Sequence, residues 1–398
     1  MGRGIAAKGV VWYTPGMKHS ALLAAAAAVL AVAPCGAAEN NGLKTPETSK
    51  LFVRHVDPTS GVESWLLKPG IFSFHQQGCY FTQKSMTDDG RFIFFWARDP
   101  EFEPDGKTKK NEFTYTFGPD ENETLFYECH PYVLANWEAF VARHAADIAA
   151  GKMKLETLCK SRKGADVPRV RYGCLSGTPK YRILVTCRHH ASESLASWVV
   201  EGIADSFMAD DDLGKWLREN VEMMCVPMMD YDGVQAGDQG KGRWPHDHNN
   251  DYTEFLYPET KALTEWITGY AGGRLDAFLD FHCPWIRGQY NEFVYTPLKD
   301  PKIYPATENL FSSLIEKLQE GELRYKASDD LPFGVAWNTG PKKGWSSSVW
   351  VVHNVKGLKT CRSFEVPFAN ANGAVVTPEK CRLFGRGVAK ALRELMKK

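Results

Sequence analysis

The sequence predicts an α/β fold: a mixed-sheet α/β/α domain preceded by a small β-sandwich. Three observations carry this. From about residue 155 onward, apolar strand-like runs alternate with amphipathic helical segments, the pattern of a sheet covered by helices. From about residue 50 to 130, amphipathic helices are missing and aromatic and branched residues run between turn signals, which reads as β structure. The length of 398 residues leaves room for two domains, and 43% hydrophobic with 24% charged residues is ordinary for a globular chain. The division is then residues 1–38 as an upstream extension and signal peptide, 39–130 as the β-sandwich and 131–398 as the α/β domain.

The elements follow in order. Residues 18–38, "KHSALLAAAAAVLAVAPCGAA", have a short positive start, an apolar run too short for a membrane span and small residues before Glu39. This predicts a secretory signal cleaved near Ala38, a secreted or periplasmic protein, and Met17 as the start. The β-sandwich is read from "SWLLKPGIFSFHQQGCYFTQKSMTDDGRFIFFWA", with turns at Pro69-Gly70 and Asp89-Gly90. Helical spacing begins in "ANWEAFVARHAADIAAG". Strands are then expected in "YRILVTC", "VEMMCVPMM", "RLDAFLDFH" and "TCRSFEVPF". The helices between and after them lie in "SESLASWVVEGIADSFMAD", "ETKALTEWITGYAGG", "ATENLFSSLIEKLQEG" and the C-terminal segment, where Thr377 caps and Pro378 opens the helix.

Charge excludes some functions. Lysine plus arginine equals aspartate plus glutamate at 48 each, so nothing in the balance points to nucleic acid or an anionic membrane surface. The ten cysteines have irregular spacing and no CxxC, and those in "ILVTC" and "MMCVPMM" read as buried thiols.

Candidate chemistry sits where predicted strands end, since ligands bind at the C-terminal edge of such sheets. His190 and Glu193 fall in the turn after "YRILVTC", three residues apart, so both can face one ion. Alternatively, Ser192 or Ser194 caps the next helix and Glu193 merely sits in its first turn. His282 ends the strand "LDAFLDFH", and would complete a His-Glu-His set with an open position, as a catalytic zinc requires. Glu365 lies inside a third strand-like stretch, in an otherwise apolar setting where a buried carboxylate is costly unless paired or working. The loop "MMDYDGVQAGDQGKGRWPHDHNNDY" is polar and glycine-rich, as functional loops are, and its His246 and His248 are second-choice ligands.

Four motifs in this order make the chain resemble the zinc carboxypeptidase family, in its cytosolic-carboxypeptidase-like branch. "RHHASESLASW" is similar to R-x-H-P-G-E-x-x-A-S-W, and the loop around Asp247 to a segment ending D-L-N-R-x-W. "LDFHCPWIRG" and "FEVPFA" are similar to the segments bearing the third zinc ligand and the catalytic glutamate. The resemblance implies one zinc ion on His190, Glu193 and His282. It implies hydrolysis of a peptide or cell-wall peptide bond by metal-activated water, with Glu365 as general base and acid. Asp247 would orient a ligand histidine, Arg243 would stabilise the oxyanion, and Asn249 and Asn250 would bind substrate. Two departures stand out: Asn250 replaces an arginine that grips a substrate carboxylate, and Gly237-Asp238-Gln239-Gly240 replaces G-N-x-R. Arg188, Arg287, Lys342 and Lys343 are alternative cations, and Tyr290 is a candidate for the family's active-site tyrosine. The competing readings are a zinc amide or ester hydrolase needing no free carboxylate, and a decayed peptidase scaffold that binds without catalysis.

Overall fold

The computed structural model describes residues 129–398 except 131, 237–239, 242, 244, 271, 286–288, 305–306 and 340–343, together with five short strands between residues 51 and 127. Those strands are β1 (Leu51–Val53), β2 (Tyr80–Lys84), β3 (Arg91–Trp96), β4 (Asn111–Thr116) and β5 (Glu123–Tyr127). They form an antiparallel β1-β3-β4 sheet and a β2-β5 pair. The elements described in this region are all strands. The Asp89-Gly90 turn lies outside the described residues, and β3 after it pairs with β1 and β4. How the two sheets meet, and hence the sandwich, also lies outside them.

The main sheet contains β6 (Met153–Lys160), β7 (Asp166–Gly173), β8 (Tyr181–Cys187), β9 (Val221–Val226), β10 (Ala277–His282) and β11 (Thr360–Glu365). Its order is β11-β10-β8-β9-β7-β6. Strands β11, β10, β8 and β9 are parallel, whereas β7 and β6 join antiparallel, so the sheet is mixed. Strands β8, β9 and β10 are largely apolar, β11 is mostly polar, and every residue of β9, β10 and β11 is buried, as for strands covered on both faces. Each buried Leu184, Phe278 or Phe281 contributes roughly 1.5–3 kcal/mol. The β6-β7 hairpin, which the alternation did not reveal, carries exposed charge at the sheet edge, including Lys154 and Lys160, which discourages further strand pairing.

Two helices form the tightest crossing. Ser194–Met208 and Pro378–Met396 approach until a Cβ on Gly202 would lie 2.1 Å from the Arg382 carbonyl oxygen, and one on Gly385 2.1 Å from that of Val199. The C-terminal helix starts as read: Thr377 accepts from the Lys380 amide, with Pro378 first. The helix at Ser194 does not. Glu193 occupies its cap position without a side-chain cap bond, because its carboxylate is turned elsewhere. All eight described cysteines are free thiols, and Cys187 and Cys225 are buried.

Candidate active site

Parallel register brings three strand ends together. His282 pairs with Glu365 across β10 and β11, and Phe281 pairs with Cys187 at the end of β8. Immediately after Cys187 the chain turns sharply through Arg188, whose φ of 62° is left-handed. Arg188 is completely buried and holds this turn: it donates to the carbonyl oxygens of Ala191 and Tyr132 and to Ser197 Oγ. The turn delivers His189 and His190 to the sheet edge. Arg188 is thereby consumed structurally, while Arg287, Lys342 and Lys343 lie outside the described residues.

His190, Glu193 and His282 converge, each offering a ligand atom within 4.8 Å of the others'. His190 Nδ1 is 2.9 Å from Glu193 Oε1, and His282 Nδ1 is 2.9 Å from Glu193 Oε2 and 3.2 Å from His190 Nδ1. Each imidazole turns its other nitrogen to a carboxylate. His282 Nε2 is 2.9 Å from Asp280 Oδ2, and His190 Nε2 is 3.7 Å from Asp247 Oδ2. Histidines that hold metals are braced in this manner, which fixes the tautomer and the ring direction.

Asp280, which sequence reasoning missed, is the centre of the bracing. Its Oδ1 accepts from Thr186 Oγ1 at 2.8 Å and His189 Nδ1 at 2.9 Å; its Oδ2 accepts from His282 and, at 2.6 Å, from Ser347 Oγ. His189 Nε2 lies 2.7 Å from Tyr252 Oη. Burial lowers the His189 pKa despite Asp280, so the ring is neutral, donating through Nδ1 and accepting from the tyrosine. His189, the first histidine of the doublet, is therefore a buttress. A polar residue in the centre of the "FLDFH" run was the available signal: an aspartate on a fully buried strand needs partners.

Glu365 is 8% exposed, and its Oε2 is buried without a hydrogen-bond partner. Burial pushes the carboxyl up to about 7, with His282 and Lys241 pulling downward and Glu193 adding to the rise. The Tyr295 backbone clamps the residue: its carbonyl accepts from the Glu365 amide at 2.8 Å, and its own amide donates back at 3.3 Å. Tyr295 is buried beside Glu365, whereas the Tyr290 ring packs on those of Tyr295, at 5.5 Å, and Phe293, at 6.4 Å.

The 230–251 loop departs from expectation. Arg243 is fastened to Asp230, with Nε at 3.0 Å and Nη2 at 2.5 Å from Oδ2. Asn250 donates to both oxygens of Asp247, at 3.0 and 3.2 Å, and Asn249 accepts from Ser347. Burial would raise the Asp247 carboxyl, but His190, the Asn250 amide and Lys241 hold it at about 2. His246 binds Asp251 at 2.7 Å and His248 stacks on Tyr257, so neither joins the cluster. The cation that does is Lys241: its Nζ is 3.0 Å from Glu193 Oε1.

Two imidazole nitrogens and a carboxylate are a zinc donor set, and an orphaned buried carboxylate oxygen beside them is what a site lacking its guest leaves behind. The residues fit the metal.

Residues 150–253 match the model of the family described as zinc carboxypeptidase. The chain is similar to cytosolic carboxypeptidase 2 of Xenopus tropicalis, 28% identical over 197 residues, which is 48% of this chain and 20% of that protein. It is 26% identical to human cytosolic carboxypeptidase 2 over 191 residues, 46% of this chain and 19% of the relative. The matched segment thus spans about a fifth of these relatives' length. Among solved structures, a metallo-carboxypeptidase from Burkholderia cenocepacia superposes with a TM-score of 0.60 at 19% identity, over 82% of this chain and 83% of that one. A Pseudomonas aeruginosa metallo-carboxypeptidase gives 0.56 at 19% identity over 81% of each. These show the fold. The relatives' names correct the expected secreted or periplasmic location: they are cytosolic carboxypeptidases. The proposed leader and Ala38 lie outside the described residues, and among those described no helix is long and apolar enough to cross a membrane.

Proposed function

Proceeding from a chain that carries a zinc carboxypeptidase domain, we propose that it is a metallocarboxypeptidase cleaving peptide bonds. The observation that carries this is the convergence of His190, Glu193 and His282 at strand ends beside Glu365, whose Oε2 has no partner. His190, Glu193 and His282 would hold one zinc ion. When bound, that ion supplies Lewis acidity toward a carbonyl and lowers the pKa of water.

The chain's own residues do the rest. His282 keeps its proton on Nε2, donated to Asp280, which leaves Nδ1 as the ligand atom. Asp247 faces Nε2 of His190 at 3.7 Å, where its charge favours a proton on that nitrogen. Glu365 accepts a proton from the attacking water through its unengaged oxygen and passes it to the departing amine. Arg243 and Asn250 serve the scaffold, by gripping Asp230 and Asp247.

The test is metal analysis of purified protein combined with hydrolysis of paired peptides with free and amidated C-termini. One bound zinc and cleavage of the free peptide support the reading. Cleavage of both peptides equally favours the amide hydrolase without carboxylate specificity. A metal-free, inert protein would leave only a binding role.

A further inference from the structure

Lys241 has no role in the reading above, yet its ammonium stands where the chemistry is concentrated. It lies 3.0 Å from Glu193 Oε1, and the carboxylates of Glu365 and Asp247 are close enough to act on its charge. Its side chain is 39% exposed, so it borders the opening of the site and is not sealed beneath it. The preceding residue explains its direction. Gly240 has a φ of +93°, and a Cβ there would lie 2.4 Å from the Ala191 amide nitrogen and 3.0 Å from His190 Cα. The backbone at 240 is thus pressed flat against the turn bearing His190, where no side chain fits. Lys241 is the first residue beyond that contact whose side chain can reach the cluster.

The other described cations of this region are committed. Arg188 is bound inside its turn, and Arg243 is held by Asp230 through two nitrogens. Attack on a peptide carbonyl puts negative charge on its oxygen, and a pre-placed cation in a site shielded from water stabilises that charge strongly. Resting on the peptidase reading, we infer that Lys241 is a catalytic residue, its ammonium donating to the carbonyl oxygen of the scissile bond as negative charge builds there. The position also implies competition. In the metal-free protein Lys241 neutralises Glu193, so a cation entering the cluster must displace it from that carboxylate. With Glu193 engaged by a metal, the Lys241 ammonium would be available to the substrate oxygen.

Three measurements on the full chain test this. Lys241→Gln should lower kcat about 100-fold with KM changed less than about threefold, and Lys241→Arg should recover part of the loss. Affinity for a phosphinic peptide, which imitates the tetrahedral anion, should fall about 100-fold in K241Q, while affinity for an uncleaved peptide in the Glu365→Gln background stays within about threefold. Zinc affinity, measured against a chromophoric chelator, should be tighter in K241Q. Wild-type-like kcat and phosphinate affinity in a zinc-loaded K241Q would overturn the inference and confine Lys241 to pairing with Glu193. Unchanged or weakened zinc affinity in K241Q would overturn the competition. An inert wild-type protein would instead sink the peptidase reading on which both depend, and the inference with it.

Discussion

The two halves of the site are built on opposite terms. On one side Asp280 receives four hydrogen bonds, from Thr186, His189, His282 and Ser347, and every polar atom described there is engaged. On the other side Glu365 is buried with one oxygen unengaged and its carboxyl pushed to about 7. Both are buried acids at or near the ends of adjacent parallel strands. They differ in partners, and that difference separates holding from reacting. A fully satisfied carboxylate stays ionised and rigid, whereas an unsatisfied one gives and takes protons.

The largest expected effect comes from removing the held side's product. His282→Ala should abolish stoichiometric zinc binding and reduce hydrolysis by at least about 1,000-fold, measured by metal analysis and peptide cleavage. Glu365→Gln should leave zinc bound but lower kcat by about 1,000-fold or more, since base and acid are lost together. Full activity in that variant would refute the division of labour. Asp280→Asn removes the acceptor bracing His282 and should weaken zinc affinity about 10–100-fold, with a smaller loss of rate at saturating metal.

The smallest effect is electrostatic and concerns the metal-free protein. Because burial raises the Glu365 pKa above its unfolded value of about 4.5, the protonated form is the one folding favours. Its contribution is complete below pH 4.5 and is lost as pH rises through 7. Glu365→Gln should therefore stabilise the metal-free chain above pH 7, by on the order of 2–3 kcal/mol, and leave it unchanged near pH 4. Denaturant midpoints at the two pH values would read this directly; an equal shift at both would show that the carboxyl is not the cause.

Much of this contrast was legible in one dimension. The apolar runs before His190 and His282 were enough to mark two strand ends, because a parallel strand buried on both faces writes an apolar run into the chain. The third strand, by contrast, was read past Glu365 to Phe368 and ends at Glu365. The resemblance to zinc carboxypeptidases rested on the same residues. The loop was misread for a physical reason. Arg243 was selected for its charge and position, but which carboxylate an arginine meets depends on atoms brought in from elsewhere, here Asp230. Asn249 and Asn250 were likewise assigned to substrate and are found on Ser347 and Asp247. The hairpin β6-β7 and the helix Ser347–Asn354 were missed because their alternation and length are weak signals without tertiary support.

What the sequence by itself determined is the α/β class, the strands that carry the site and the candidate donor residues, since periodicity and residue chemistry are local properties. Only the tertiary structure decided the partners. It joined Asp280 to His189 and His282, fastened Arg243 to Asp230, and brought Lys241 to Glu193 across the loop. Such pairings depend on register between strands nearly a hundred residues apart and on a glycine pressed against a turn, distances that no local pattern encodes.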